Sequence, residues 1–202
     1  MKLYYFPGAC SLSPHIVLRE ANVPFELVKT DLRAKTTETG QDFWAVNKAG
    51  YVPALELDDG TVITEGPVIL QYIADNLGGK HLAPANGTLE RYKLQSWLNF
   101  ISTELHKGFS PLFNPKVTGE SKEALQERLL ARIAVLDKHL ADTPYIMGKA
   151  FTLPDAYAYT VLSWAGRMKL DLSGFKAIGP YLERIAARPA VQAATEAEGK
   201  KG

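Results

Sequence analysis

The apolar pattern of this 202-residue chain changes period once, between residues 80 and 89, and that change limits its possible folds more than any other feature. Ahead of it, short β-prone runs alternate with helical ones. Leu3–Phe6 is a strand-like run closed by Pro7-Gly8. Ser11 to Glu20 reads as a helix, with Leu12, Ile16 and Val17 at helical spacing and Pro14 in the first turn, where its missing N–H costs nothing. Phe25–Val28 follows directly, which predicts a βαβ unit with a parallel strand pair and a right-handed crossover. After a polar stretch from Asp31 to Lys48, Tyr51–Leu57 and Thr61–Ile63 flank Asp58-Asp-Gly60, a hairpin signal. Glu65-Gly66-Pro67 opens a further helix, with Ile69, Leu70, Ile73 and Leu77 on one stripe and Gly78-Gly79 ending it.

Residues 81–88 turn to Ala, Pro, Asn and Gly, and everything beyond reads as helix. Leu94, Trp97, Leu98, Ile101 and Leu105 lie on one stripe of a long helix interrupted only near Gly108 and Pro111. Lys122 to Leu140 fits a second helix, and Pro180 to Arg188 and Ala190 onward supply the last pieces. Thr152-Leu-Pro-Asp155 is a capping-box pattern whose loss should cost about 0.5–2 kcal/mol. The fold class expected is α/β plus all-α. A thioredoxin-like domain over 1–80, ordered β-α-β-(irregular)-β-β-α, is followed by a linker over 81–88 and a helical bundle over 89–202.

A net charge of +1 argues against a nucleic-acid or anionic-membrane surface. No apolar run approaches the roughly 20 residues that span a bilayer, and the N-terminus lacks a secretory pattern, so the cytosol is the expected compartment. Four scattered histidines and one cysteine lack metal-ligand spacing. That cysteine, Cys10, stands where the first helix opens, and the helix dipole with its unpaired amides favours the nucleophilic thiolate. Packing as a small buried hydrophobe is the other reading of the same position. With no second cysteine, redox chemistry must use an external thiol, and Cys10-Ser-Leu-Ser13 resembles a monothiol site.

The Val52-Pro53 turn, the Thr64-Glu65-Gly66 helix start and the Thr152–Asp155 capping box, in this order over the whole chain, resemble the glutathione S-transferases. Pro7-Gly-Ala-Cys10-Ser-Leu-Ser-Pro-His15, Arg91-Tyr92 through Trp97-Leu-Asn99, and Thr103-Glu-Leu-His-Lys107 resemble their bacterial beta class, which carries cysteine where other classes place tyrosine or serine. The resemblance implies glutathione as co-substrate, no permanently bound cofactor, a small electrophile as second substrate, and a homodimer with a cleft between the two halves of each chain. It assigns Cys10 and His106 to catalysis. It places Val52 against the cysteinyl backbone of glutathione across a cis Val52–Pro53 bond, Glu65 and Gly66 at the γ-glutamyl end, and Lys35 at the glycine carboxylate. Many relatives carry a hydroxyl where this chain has Gly66. Asn99, Thr103, Glu104 and His106 are implied near glutathione, some from a partner subunit.

Each assignment has a plainer counterpart: a solvated Lys35, a first-turn charge at Glu65, a packed His106. Tyr5, Ser11 and Lys107 are weaker candidates, and Phe109, Phe113 and Trp164 are candidates for an acceptor pocket. The expected activity is conjugation of glutathione to apolar electrophiles, with Cys10-dependent thiol-disulfide exchange, in the manner of detoxification enzymes. The alternatives are glutathione-dependent reductive dehalogenation of chlorinated aromatics and a non-catalytic ligand-binding protein on the same fold.

Overall fold

The computed structural model describes residues 1–199, which form two compact units. Among the described residues the first comprises Met1–Ala83 and Arg188–Gly199; the second is Pro84–Ala187.

In the first unit, five strands are ordered β3-β2-β1-β4-β5: β1 Lys2–Tyr5, β2 Glu26–Asp31, β3 Thr36–Thr37, β4 Ala54–Glu56 and β5 Val62–Thr64. Strand β1 pairs parallel with β2, Leu3 opposite Leu27, and antiparallel with β4, Leu3 opposite Leu55. Period-2 alternation then sorts the side chains. Tyr4, Val28 and Ala54 share a core with Phe43 and Val52. Helices α1 (Leu12–Glu20) and α3 (Gly66–Asn76) pack on each other, burying Ile16, Val17, Leu18, Ile69, Leu70 and Ile73.

The polar stretch after β2 is more ordered than its composition suggests. It forms β3 and a short helix α2 (Phe43–Val46), whose first turn is capped by the Asp42 carboxylate accepting from Trp44 N. The last helix, α9 (Pro189–Ala197), corrects the expected single cut before residue 89. It packs on α1, and Arg188 donates from both Nε and Nη2 to the Glu20 carboxylate at 2.6 and 2.9 Å.

The second unit is helical: α4 Leu89–Phe100, α5 Lys107–Phe109, α6 Gly119–Leu140, α7 Leu153–Leu162 and α8 Ile178–Ala186. Between α4 and α5 the expected continuous helix widens to a π-helical turn over Ile101–His106, closed by Lys107 N–H donating to Ser102 O. One extra residue per turn shifts the face presented by everything after it. Helix α7 is the core element, nine of its ten residues being buried. The capping box forms, and its Asp155 carboxylate also serves as a hub. It accepts from Thr152 N and Oγ1 and from Ile146 N, each at 2.8 Å, and from the Tyr181 hydroxyl at 3.1 Å.

Candidate active site

Cys10 lies in the turn joining β1 to α1, one residue ahead of the Ser11 cap, so the helix starts two residues later than the cysteine itself. The turn is held from several directions. Ser11 is fully buried; its hydroxyl accepts from Phe6 N at 3.2 Å and donates to Phe6 O at 3.3 Å. The Cys10 carbonyl accepts from Ser13 N at 3.2 Å and from the Ser13 hydroxyl at 2.8 Å. The thiol itself is half-buried and donates to Val52 O at 3.2 Å. Val52–Pro53 is cis.

One anchor of this turn comes from a residue that sequence reasoning missed. The buried Glu198, just after α9, accepts from Gly8 N at 3.0 Å and meets His15 Nδ1 at 3.0 Å; His15 Nε2 in turn accepts from Arg19 Nε at 2.9 Å. A lone glutamate after an alanine-rich helix carries no pattern that points 190 residues back to Gly8. His15 on an apolar helix face was the only available hint.

Lys35 adopts φ 57°, its Nζ donates to Gly50 O at 2.7 Å, and it lies over the rings of Trp44 and Tyr51. Glu65 is exposed at the N-terminus of α3 with φ 66°, a conformation that costs a non-glycine residue on the order of 1–3 kcal/mol and that clusters at functional sites. Its carbonyl accepts from Val68 N and Ile69 N at 3.0 Å each. A Cβ at Gly66 would meet nothing within 4 Å, so a hydroxyl-bearing side chain has room there. Tyr5 is buried, with its ring 6.5 Å from that of His15, and burial pushes its phenol pKa up.

In the second unit, Asn99 and Thr103 are exposed and linked by Thr103 Oγ1 donating to Asn99 O at 3.0 Å. Glu104 pairs with Arg132 Nε at 3.0 Å, and Lys107 is exposed. His106, the last residue of the π turn, packs inward, in line with the plainer reading of a packed imidazole. Its Nδ1 lies 2.7 Å from the Tyr157 hydroxyl and its ring 5.0 Å from that of Trp164. Burial, with the Lys107 charge second, pushes the imidazole down to about 4, so the ring is neutral at pH 7. Phe109 and Phe113 also meet Trp164, at 5.9 and 5.4 Å between centroids, so the three aromatic candidates form one cluster.

Comparison with known proteins extends these observations. Residues 8–76 match the family model of the glutathione S-transferase N-terminal domain, and residues 100–189 that of the C-terminal domain. The glutathione S-transferase GstA of Escherichia coli O157:H7 is 48% identical over 201 residues, covering 100% of both chains. A sphingomonad glutathione S-transferase solved in complex with glutathione is similar at TM-score 0.94 and 49% identity, over 98% of this chain and 99% of that one. The bacterial beta-class enzyme of Sphingomonas chungbukensis is similar at TM-score 0.94 and 47% identity, again over 98% and 99%. Likeness of this extent over the whole length makes the chain a member of the glutathione S-transferase family, of the bacterial beta-class kind, and a transferase.

Proposed function

We propose that this transferase binds glutathione on its first unit and uses Cys10 for thiol-disulfide exchange beside conjugation. The observation that carries this reading is the Cys10 thiol held 3.2 Å from Val52 O, because it sets the protein's sulfur next to an exposable strand-like backbone group. An extended peptide pairs with such groups, and the cysteinyl residue of glutathione is the one that would bring its own sulfur there. The flanking groups fit the ends of the same tripeptide. Glu65 suits the γ-glutamyl ammonium, the Gly66 amide at the start of α3 suits its carboxylate, and Lys35 suits the glycine carboxylate. A sphingomonad relative solved with glutathione supports the ligand's identity.

The family resemblance extends the proposed glutathione contacts to Asn99, Thr103, Glu104 and His106, some of them from a partner subunit. His106 is neutral at pH 7 and acts by hydrogen bonding, not as a cation. In the aromatic cluster Phe109 and Trp164 are buried and pack the unit, and the exposed Phe113 offers the ring face that suits an apolar or aromatic electrophile. In conjugation the glutathione thiolate forms a carbon–sulfur bond with the electrophile, whose leaving group departs with the bonding pair. In exchange the Cys10 thiolate attacks the glutathionyl sulfur of a mixed disulfide between glutathione and another thiol, forming a Cys10–glutathione disulfide and releasing the other thiol as its thiolate. A glutathione thiolate then attacks the Cys10–glutathione disulfide, regenerating the Cys10 thiolate and releasing oxidised glutathione. The reducing cytosol supplies that thiol. The exposed Val68 on α3 and Leu89 and Tyr92 on α4 are apolar surface suited to a second copy of the chain.

Intact mass after incubation with oxidised glutathione tests the reading, since the chain has one cysteine. A reducible gain of one glutathione, absent in Cys10→Ala, is expected, with aryl conjugation retained in that variant. Glutathione binding without any adduct would make Cys10 a packing residue and overturn the exchange activity. Equal loss of both activities in Cys10→Ala would overturn their separation.

A further inference from the structure

The surroundings of Lys35 contain more structure than a carboxylate-binding lysine needs. Trp44 and Tyr51 keep 47% and 69% of their surface exposed, although large aromatic rings on a surface are normally covered. Both meet the same ammonium: Lys35 Nζ lies 5.4 Å from the Trp44 ring centroid and 5.3 Å from that of Tyr51. The Gly50 carbonyl accepts from the same nitrogen at 2.7 Å.

The backbone is built around this arrangement. Gly50 has φ 65°, and a Cβ there would stand 2.7 and 2.8 Å from carbons of the Trp44 indole, so the ring can approach only because residue 50 is glycine. Lys35 is fixed on both sides of its own left-handed turn, its N–H donating to Asp31 O and its carbonyl accepting from Phe43 N, each at 2.8 Å. Asn47 ties down the Tyr51 carbonyl through Nδ2 at 2.8 Å. A lysine side chain is among the most conformationally free, and holding it still is costly unless several groups share the work. Here two ring faces and one carbonyl do so. An ammonium has three N–H donors, so the Gly50 carbonyl leaves two for an incoming anion.

We infer that Trp44 and Tyr51 are positioning residues that hold the Lys35 ammonium for the glycine carboxylate and so make the site prefer glutathione over γ-glutamylcysteine. The inference rests on the glutathione reading above. Gly50 and Tyr51 directly precede Val52, so a ligand paired with Val52 through its cysteinyl backbone has its next residue about 3.4 Å further along, within reach of this corner. γ-Glutamylcysteine ends before that residue and gains nothing from the rings. Each ring face at an exposed site should be worth about a two- to fivefold change in affinity.

The test is calorimetric binding of glutathione and of γ-glutamylcysteine to the full chain and to Trp44→Leu, Tyr51→Leu, Tyr51→Phe and Lys35→Met. Both leucine variants should weaken glutathione about two- to fivefold and leave γ-glutamylcysteine unchanged. Tyr51→Phe, which keeps the ring face, should restore glutathione binding, and Lys35→Met should erase the preference. In a Lys35→Met background the leucine changes should have no further effect. Equal weakening of both ligands would mean that the rings only pack the loop, and unchanged glutathione affinity would mean that Lys35 needs no help; either overturns the inference. An unaltered preference in Lys35→Met also overturns it while leaving glutathione binding intact. A wild-type protein that binds neither ligand would instead remove the glutathione reading itself.

Discussion

Replacing His106 by phenylalanine tests whether the fold holds this imidazole neutral. Burial between Tyr157 and Trp164, with Lys107 adding a smaller push, takes the ring from 6.5 down to about 4. The folded value lies below the unfolded one, so as pH falls the unfolded chain takes up the proton first. The stability that His106 contributes is therefore complete above pH 6.5 and drains away toward pH 4, by on the order of 3 kcal/mol.

Asp155 has the opposite sign. Burial raises its carboxyl to about 6 against the pull of four hydrogen-bond donors, so the folded state holds a proton that the unfolded state has released. Its contribution to stability is lost as pH rises from about 4 to about 6, by a comparable amount. Between pH 4 and 6 the two slopes oppose each other and the native protein conceals both. His106→Phe removes one of them. Measured by urea unfolding with tryptophan fluorescence at fixed protein concentration, the variant's stability relative to the native protein should rise by about 2–3 kcal/mol from pH 7.5 to pH 4.5. The lost Tyr157 hydrogen bond shifts both ends alike and drops out of this difference. A gap that stays the same at the two pH values would show that His106 titrates normally and would refute the burial argument.

Gly66→Ser should be accepted without loss of stability, because a Cβ there meets nothing within 4 Å, and the new hydroxyl should tighten glutathione binding. A fall in melting temperature would contradict the open space. Glu198→Ala removes the buried acceptor of the Gly8 amide and of His15 Nδ1 and should cost about 1–3 kcal/mol for each donor stranded. It should also speed alkylation of Cys10 by iodoacetamide, and an unchanged alkylation rate would deny Glu198 any hold on the turn. Asp155→Ala strands four donors inside the second unit. Several kcal/mol should be lost in urea unfolding, well above the roughly 0.5–2 kcal/mol of an ordinary helix cap, and a loss within that range would reduce Asp155 to a cap.

The elements with strong local chemistry could be read from the chain. The Asp-Gly hairpin and the Thr152–Asp155 box satisfy their backbone groups nearby, so composition over a few residues determines them, and Leu3–Phe6 is marked by its β-prone residues although its pairing partners, Leu27 and Leu55 opposite Leu3, lie far along the chain. The β3–α2 segment could not be read that way: its Asp42 cap on Trp44 is local, but the segment is held by Phe43 entering a core shared with Tyr4 and Ala54. Regular helical spacing from Asn99 and Thr103 would carry His106 onto the same exposed face, and the π turn that takes it inward leaves no mark in a pattern of apolar residues.

The candidate site divides along the same line. Cys10, Val52, Glu65 and Gly66 stand in short motifs, Lys35 follows from the family resemblance alone, and they lie at chain turns where backbone geometry matters most: φ of 57° at Lys35, φ of 66° at Glu65, and a carbonyl at Val52 that receives the thiol. The groups that hold those turns could not be named. Glu198 reaches Gly8 from the far end of the chain, and Trp44 reaches Lys35 only because Gly50 lacks a Cβ. Motifs mark the residues that meet a ligand, because ligand chemistry restricts their type. Supporting groups need only an acceptor or a ring face at the right point in space, which many residues at many positions can supply. Substitutions at Glu198, Trp44 and Tyr51 are therefore where changes in thiol reactivity or ligand preference should arise in this fold without any change in its motifs.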